Sequence, residues 1–259
     1  MNATRRQILR SGLVLASSLP LGACAGAQSP ANGLTRVHVM GVIHGRHRTS
    51  ERYSLDVLRE AVRAAKPDLI LSEIPPDRID QAVTSFRETG AVDEPRTQVF
   101  PEYTDVVFPL SREMDFRILG TAGWTREIAD NRRAALERIQ NDPMRAEEWA
   151  EHRAALRQYR RDIAGKGDDP VFIHTPEFDR LVEASRTPYQ QYFDKDLGPG
   201  GWTQINAAHT NLINSALDTL SGQGKTALIM FGNAHKYMIL RSLEQRDDID
   251  LLDARALFA

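Results

Sequence analysis

The sequence predicts an α/β fold: a mostly parallel central sheet, flanking helices, and a large helical insertion capping the carboxyl ends of the strands. Three observations lead there. Residues 36–44 (RVHVMGVIH), 68–73 (DLILSE) and 226–231 (TALIMF) are short, nearly continuous apolar runs, as in strands buried on both faces. Helix-patterned segments follow the first two, which is the βαβ arrangement. The stretch from about 122 to 222 has no strand pattern and is rich in Arg, Glu and Ala.

The composition agrees. The chain has 259 residues, 41% hydrophobic and 26% charged, with net charge -2. That is enough chain for one sizeable core. The near-neutral balance gives no electrostatic reason to expect nucleic acid. The single cysteine, Cys24, excludes an internal disulfide.

Residues 1–23 read as a targeting segment. Thr4-Arg5-Arg6-Gln7-Ile8-Leu9-Arg10 is a twin-arginine pattern, followed by a short apolar stretch, Ser11 to Ala23, too short for a comfortable membrane span. Leu21-Gly22-Ala23-Cys24 looks like a lipobox, which would acylate Cys24 and tether the protein to a lipid bilayer of the bacterial envelope. The plainer alternative is a signal peptide with an incidental cysteine. Residues 24–34 are small and polar, as in a flexible tether. Residues 35–259 then form one domain.

Within that domain, 36–44 is the first strand. Ser54 is a good N-cap, and Leu55, Leu58, Ala61, Val62 and Ala65 keep helical spacing until Lys66-Pro67. Residues 68–73 form the second strand, Pro75-Pro76 breaks it, and 77–88 is helical. Residues 101–114 read as helix and 116–121 as a third strand. A charged helical hairpin spans 125–163, punctuated by Asp142-Pro143. Short helices occupy 175–197. Residues 203–220 make an amphipathic helix with Ile205, Ala208, Leu212, Ala216 and Leu220 on one stripe. The fourth strand, 226–231, precedes a helix over 233–243, and 249–253 reads as an edge strand.

Three polar residues punctuate three of these strands: His44, Glu73 and His235. Ligands of open parallel sheets bind outside the carboxyl ends of the strands, so neighbouring strands would bring all three together. Two imidazoles and a carboxylate suit a divalent ion such as Zn, Mn, Fe or Co. Two of the three share a form: Gly41-Val42-Ile43-His44 and Gly232-Asn233-Ala234-His235. Glycine permits a sharp turn or a close backbone approach there.

On these residues the chain resembles the TraB/PrgY and GumN proteins, with the Tiki membrane-tethered proteases as relatives. The wider fold group includes erythromycin-esterase-like enzymes and ChaN-like haem-binding lipoproteins. The matching elements are GVIH (41–44), LILSE (69–73) and GNAH (232–235). The resemblance implies a metal-dependent hydrolase, peptidase-like in the Tiki branch, with a peptide or small-molecule substrate. It places His44, Glu73 and His235 at the site, with Glu73 either ligand or general base. The rival expectation is a non-enzymatic lipoprotein that binds haem, iron or another small ligand. One departure concerns an Arg-Asn pair that the family usually carries on the helix before the last strand. Here that helix reads INAAHTNLINSAL, without arginine. His209 stands as either the replacement or a core histidine, near Asn206, Asn211 and Asn214. Asn214 and Arg46 are candidate substrate contacts; Arg46 could equally face solvent. His47 and His38 read as structural or bystander residues. His174 and Trp202 sit in the insertion with nothing to fix them at a pocket, and the Arg-rich 153–161 run reads as a solvated face.

Overall fold

The computed structural model describes residues 33–259, so Cys24, the signal segment and most of the tether lie outside the described residues. Five strands form one all-parallel sheet: β1 (Thr35–Val42), β2 (Leu69–Ser72), β3 (Arg117–Gly120), β4 (Thr226–Gly232) and β5 (Ile249–Leu252), in the spatial order β3-β2-β4-β1-β5. β4, which follows the insertion, threads between β1 and β2. Val42 is level with Gly232, and Met230 with Ser72. The carboxyl ends of the three inner strands therefore lie side by side.

Both faces of the sheet are covered, which is why its strands lack a polar side. Met40, Val42, Ile70, Leu228 and Met230 pack on one face, with Leu58 and Val62 of α1 (Leu55–Ala65) and with α2 (Pro76–Thr89). Val37, Val39, Leu71, Ile229 and Phe231 pack on the other, under α8 (Trp202–Asp218) and α9 (Lys236–Leu243). Alternation along each strand sends neighbours to opposite faces, and both faces are dry. Ser54 caps α1 by accepting the Val57 N–H at 3.3 Å.

After β2 and α2, a π-helical segment, Glu102–Val107, runs into α3 (Phe108–Leu110). π-helical turns are rare and re-aim side chains; here Glu102, Tyr103, Val106 and Val107 all face inward. The region between β3 and β4 is helical: α4 (Arg126–Asn141), α5 (Ala146–Asp162), α6 (Pro170–Ile173), α7 (Pro176–Leu197) and α8. Segment 175–197 is one helix rather than several short ones. Thr175 caps it, and Phe178, Val182, Ser185, Tyr189 and Phe193 form a continuous buried stripe; packing against α5 keeps the helix running through Pro188. The inward stripe of α8 is also turned from the expected one. Ile205, His209, Ile213, Ala216, Leu217 and Leu220 are buried, whereas Leu212 is only half-buried. The helix follows Trp202, which donates to Tyr237 of α9, and Asn206, which accepts from His235 just beyond β4. No described helix is long and apolar enough to cross a membrane.

Candidate active site

His44, Glu73 and His235 meet at the carboxyl ends of β1, β2 and β4. His44 opens a short 3-10 helix, His44–Arg48, in a left-handed conformation at φ 50°. A non-glycine residue there is strained, and neighbours hold it on both sides. Its Nδ1–H donates to the fully buried carboxylate of Glu102 at 2.6 Å, and its ring leans on Phe100 at 5.0 Å. His44 Nε2 is left facing Glu73 Oε2 at 3.7 Å.

His235 has the same design with other parts. Its Nδ1–H donates to Asn206 Oδ1 at 2.8 Å, and Asn206 is oriented in turn by donating to the Trp202 carbonyl at 2.7 Å. Trp202 stacks on the imidazole at 4.7 Å and donates its indole N–H to Tyr237. His235 Nε2 faces Glu73 Oε1 at 3.9 Å. Glu73 is thus between two imidazoles, and its Oε2 accepts the Gly232 N–H at 2.7 Å. Tyr103 locks the floor: its hydroxyl donates to the Met230 carbonyl and accepts the Glu73 N–H, both at 2.7 Å.

The two Gly-x-x-His tetrads differ in space. Gly41 is level with Phe231, not with Gly232. Gly41 donates its N–H to His174, whereas Gly232 gives its N–H to Glu73. Neither glycine has the positive φ of a sharp turn; on the first tetrad His44 itself takes it. Gly232 is needed for close approach, since a Cβ there would lie 2.5 Å from His44 Nε2 and 3.3 Å from Glu73 Oε2.

Burial sets the charge states. Desolvation drives His235 well below its ordinary value, helped by the charges of Arg186 and Arg132. Burial also opposes charge on His44, but the hydrogen bond to Glu102 and the charge of Glu73 outweigh it and raise its pKa. Burial raises the Glu73 carboxyl against the opposing pull of His44 and the Gly232 N–H.

His209 lies beside this cluster, its ring 5.1 Å from that of His235 and nearly perpendicular to it. The Gly123 N–H donates to its Nδ1 at 2.7 Å, so the proton sits on Nε2, which is buried without a partner. Desolvation lowers its pKa to about 4. It is therefore neutral at physiological pH and offers a donor, not a positive charge.

The remaining expected residues fall elsewhere. Arg46 is exposed on the 3-10 helix. Asn214 is not brought to the cluster: its side chain donates to Ser242 and accepts from Arg246, further down α8. His47 is structural, accepting the Ile43 N–H at 3.1 Å and donating to the Tyr53 carbonyl at 2.7 Å. His38 is buried in β1.

The donor types suit a divalent metal. Both imidazoles commit Nδ1 to an orienting acceptor and leave Nε2 free, the usual arrangement behind a metal-bound histidine. The spacing does not close a cage as it stands. No group of three or more His, Cys, Asp or Glu side chains among the described residues is arranged to hold a metal ion. Separations of 3.7 and 3.9 Å also exceed the roughly 3.4 Å expected between donors ~2.1 Å from a tetrahedral ion. Set against family models, curated proteins and solved structures, the chain gives no match.

Proposed function

We propose that the protein is a hydrolase that activates water at the His44–Glu73–His235 cluster. One observation carries this reading: two imidazoles, each oriented through Nδ1 by a buried acceptor, turn their Nε2 atoms on one buried carboxylate. A side chain held in this way loses little freedom on reaching its reactive pose.

The roles follow from the surroundings. Glu102 holds the His44 tautomer, so Nε2 can take a proton from water and return it to a leaving group, as the acid–base histidine of other hydrolases does. His44 is the member with access, its side chain 36% exposed against 6% for Glu73 and 12% for His235. His235 stays neutral, and the Gly232 N–H positions Glu73. Were a divalent ion held by His44, Glu73 and His235 instead, it would take the Nε2 lone pair of His44 and would itself supply the more acidic water in place of that proton transfer. The reading extends to an exported lipoprotein anchored through acylated Cys24, which the sequence motifs support.

The test is hydrolysis of ester and peptide panels by protein purified without chelators, with its metal content measured alongside. Wild type is expected to hydrolyse at least one class, and His44→Ala and His235→Ala to lose that activity. Equal activity in all three overturns the proposal. So does a haem Soret band that His44→Ala abolishes in a protein without hydrolysis, which would establish the binding-lipoprotein alternative.

A further inference from the structure

Three guanidinium groups border the cluster, and none has a carboxylate within 4.0 Å among the described residues. Arg96 lies 5.0 Å over Phe100, whose ring leans on His44. Arg186, on α7, lies 4.5 Å over Trp202, the ring stacked on His235. Arg132, on α4, lies 5.9 Å from the Trp124 ring, which neighbours His209 at 6.3 Å. Three separate segments thus each place an arginine against an aromatic ring, and each ring neighbours a different histidine in or beside the cluster.

Pairing elsewhere in the same region makes this selective. Arg78 pairs with Asp77 and Glu94, and Arg126 with Asp130. Arg132 has only the Tyr189 hydroxyl, and the Nε of Arg186 is buried without a partner. A half-buried cation with no counter-charge costs stability, and burial indeed pushes the Arg186 guanidinium down. Arg96 and Arg132 line a cavity of about 530 Å³ that begins at Pro75, two residues beyond Glu73; its carboxylates, Asp77 and Glu94, are paired with Arg78, and Arg186 stands outside the lining but close enough to Arg132 to feel its charge. That volume suits a small molecule.

We propose that Arg96, Arg132 and Arg186 form an anion-binding subsite, and that the substrate carries a carboxylate or phosphate beside the bond presented to His44, Glu73 and His235. Planar guanidinium groups, pre-oriented on aromatic rings, recognise both anions by paired hydrogen bonds. The position of the scissile bond rests on the hydrolase reading; the anion subsite does not.

The experiment is isothermal titration calorimetry of the full protein with inorganic phosphate and, separately, with succinate at low ionic strength. Saturable binding of at least one is expected, and the tighter of the two identifies the anion. Arg186→Gln and Arg132→Gln are each expected to weaken it by about tenfold or more, the scale of one charge-assisted hydrogen bond. Arg153→Gln, on the exposed face of α5, should leave it unchanged. Arg96→Gln on its exposed loop carries the test if a buried variant does not fold. No saturable binding of either anion overturns the proposal, as does equal weakening by Arg153→Gln. Anion binding without hydrolysis leaves the subsite standing and ends the hydrolase reading; hydrolysis without anion binding does the reverse.

Discussion

His174 joins the helical insertion to the first strand, and it should make the fold acid-sensitive in a calculable way. The residue is 8% exposed. The Gly41 N–H donates to its Nε2 at 2.9 Å, and its Nδ1–H donates to the Pro170 carbonyl at 2.6 Å. Both nitrogens are used by the neutral ring, and a second proton would break the bond to Gly41. Desolvation, opposed by the Pro170 bond, lowers the pKa from 6.5 to about 4; Lys236 and Asp253 are the charged neighbours and act in opposite directions. The unfolded chain binds the proton near 6.5 and the folded chain refuses it until about 4. The stability is therefore complete above pH 6.5 and is lost as pH falls towards 4, by about 3 kcal/mol in full. That is a large part of the ~5–15 kcal/mol that holds a typical domain together. His174→Gln keeps an acceptor for Gly41 and cannot titrate. It should be less stable than wild type by about 1 kcal/mol at neutral pH, through the lost bond to Pro170. The two curves should cross between about pH 5 and 6, with the variant the more stable below. Urea unfolding followed by circular dichroism from neutral to acid pH measures this. Other buried histidines titrate alike in both proteins and cancel in the difference. A stability difference that stays constant across the range would refute the reasoning.

Gly232→Ala should cripple the cluster without unfolding the protein. The added Cβ at 2.5 Å from His44 Nε2 forces that ring against its hold on Glu102, at a cost of about 1–3 kcal/mol; hydrolysis should fall about a hundredfold, and a variant with wild-type kcat/KM would remove the close-packing argument. Glu102→Gln leaves His44 without its charged partner, so the histidine's pKa should fall towards 6.5 or below by NMR titration, the direction set by loss of the raising hydrogen bond; no change would show that Glu102 does not control it. Lys236 pairs with Asp179 at 2.6 Å and its side chain is 2% exposed. Asp179→Ala should therefore cost about 3–5 kcal/mol in urea unfolding by stranding a buried ammonium, and Asp179→Leu/Lys236→Met should recover most of it. A single variant as stable as wild type would mean that Lys236 reaches water.

The strand ends were legible because the sequence marks them twice, by an apolar run and by the polar residue that stops it. His44, Glu73 and His235 follow from that alone. The order of the strands does not. That β4 inserts between β1 and β2 depends on which edge the insertion delivers the chain to, and no local pattern records it. The parts that orient the histidines were harder to read. Glu102 lies in a segment that reads simply as helix; the available signal was a glutamate one turn before Val106, on the buried phase. Trp202 stood in the sequence as an unplaced aromatic, although a tryptophan at the first turn of a helix whose next inward residues are Ile205 and Asn206 buries its ring near that helix's start. Asn214 has the same residue type as Asn206 and a similar setting, yet only a contact two turns away, with Ser242 and Arg246, separates their roles.

α8 shows that the charge felt at a site need not come from the helix that reaches it. Along the chain the helix before β4 carries no lysine or arginine, and His209 is the only basic side chain within it that could supply a charge. In space His209 cannot do so, because burial keeps it neutral and Gly123 occupies its Nδ1. The positive charge comes instead from α7 through Arg186, which meets Trp202 on one side of the indole system that His235 stacks upon. Trp202 belongs to α8, so the ring on that helix faces the site while the charge behind it is supplied by its neighbour. Positive charge felt at His235 does not require an arginine on the same helix, only one whose guanidinium packs within reach. Arg186 of α7 and Arg132 of α4 both disfavour charge on His235, although neither lies on the helix that stacks a ring against it.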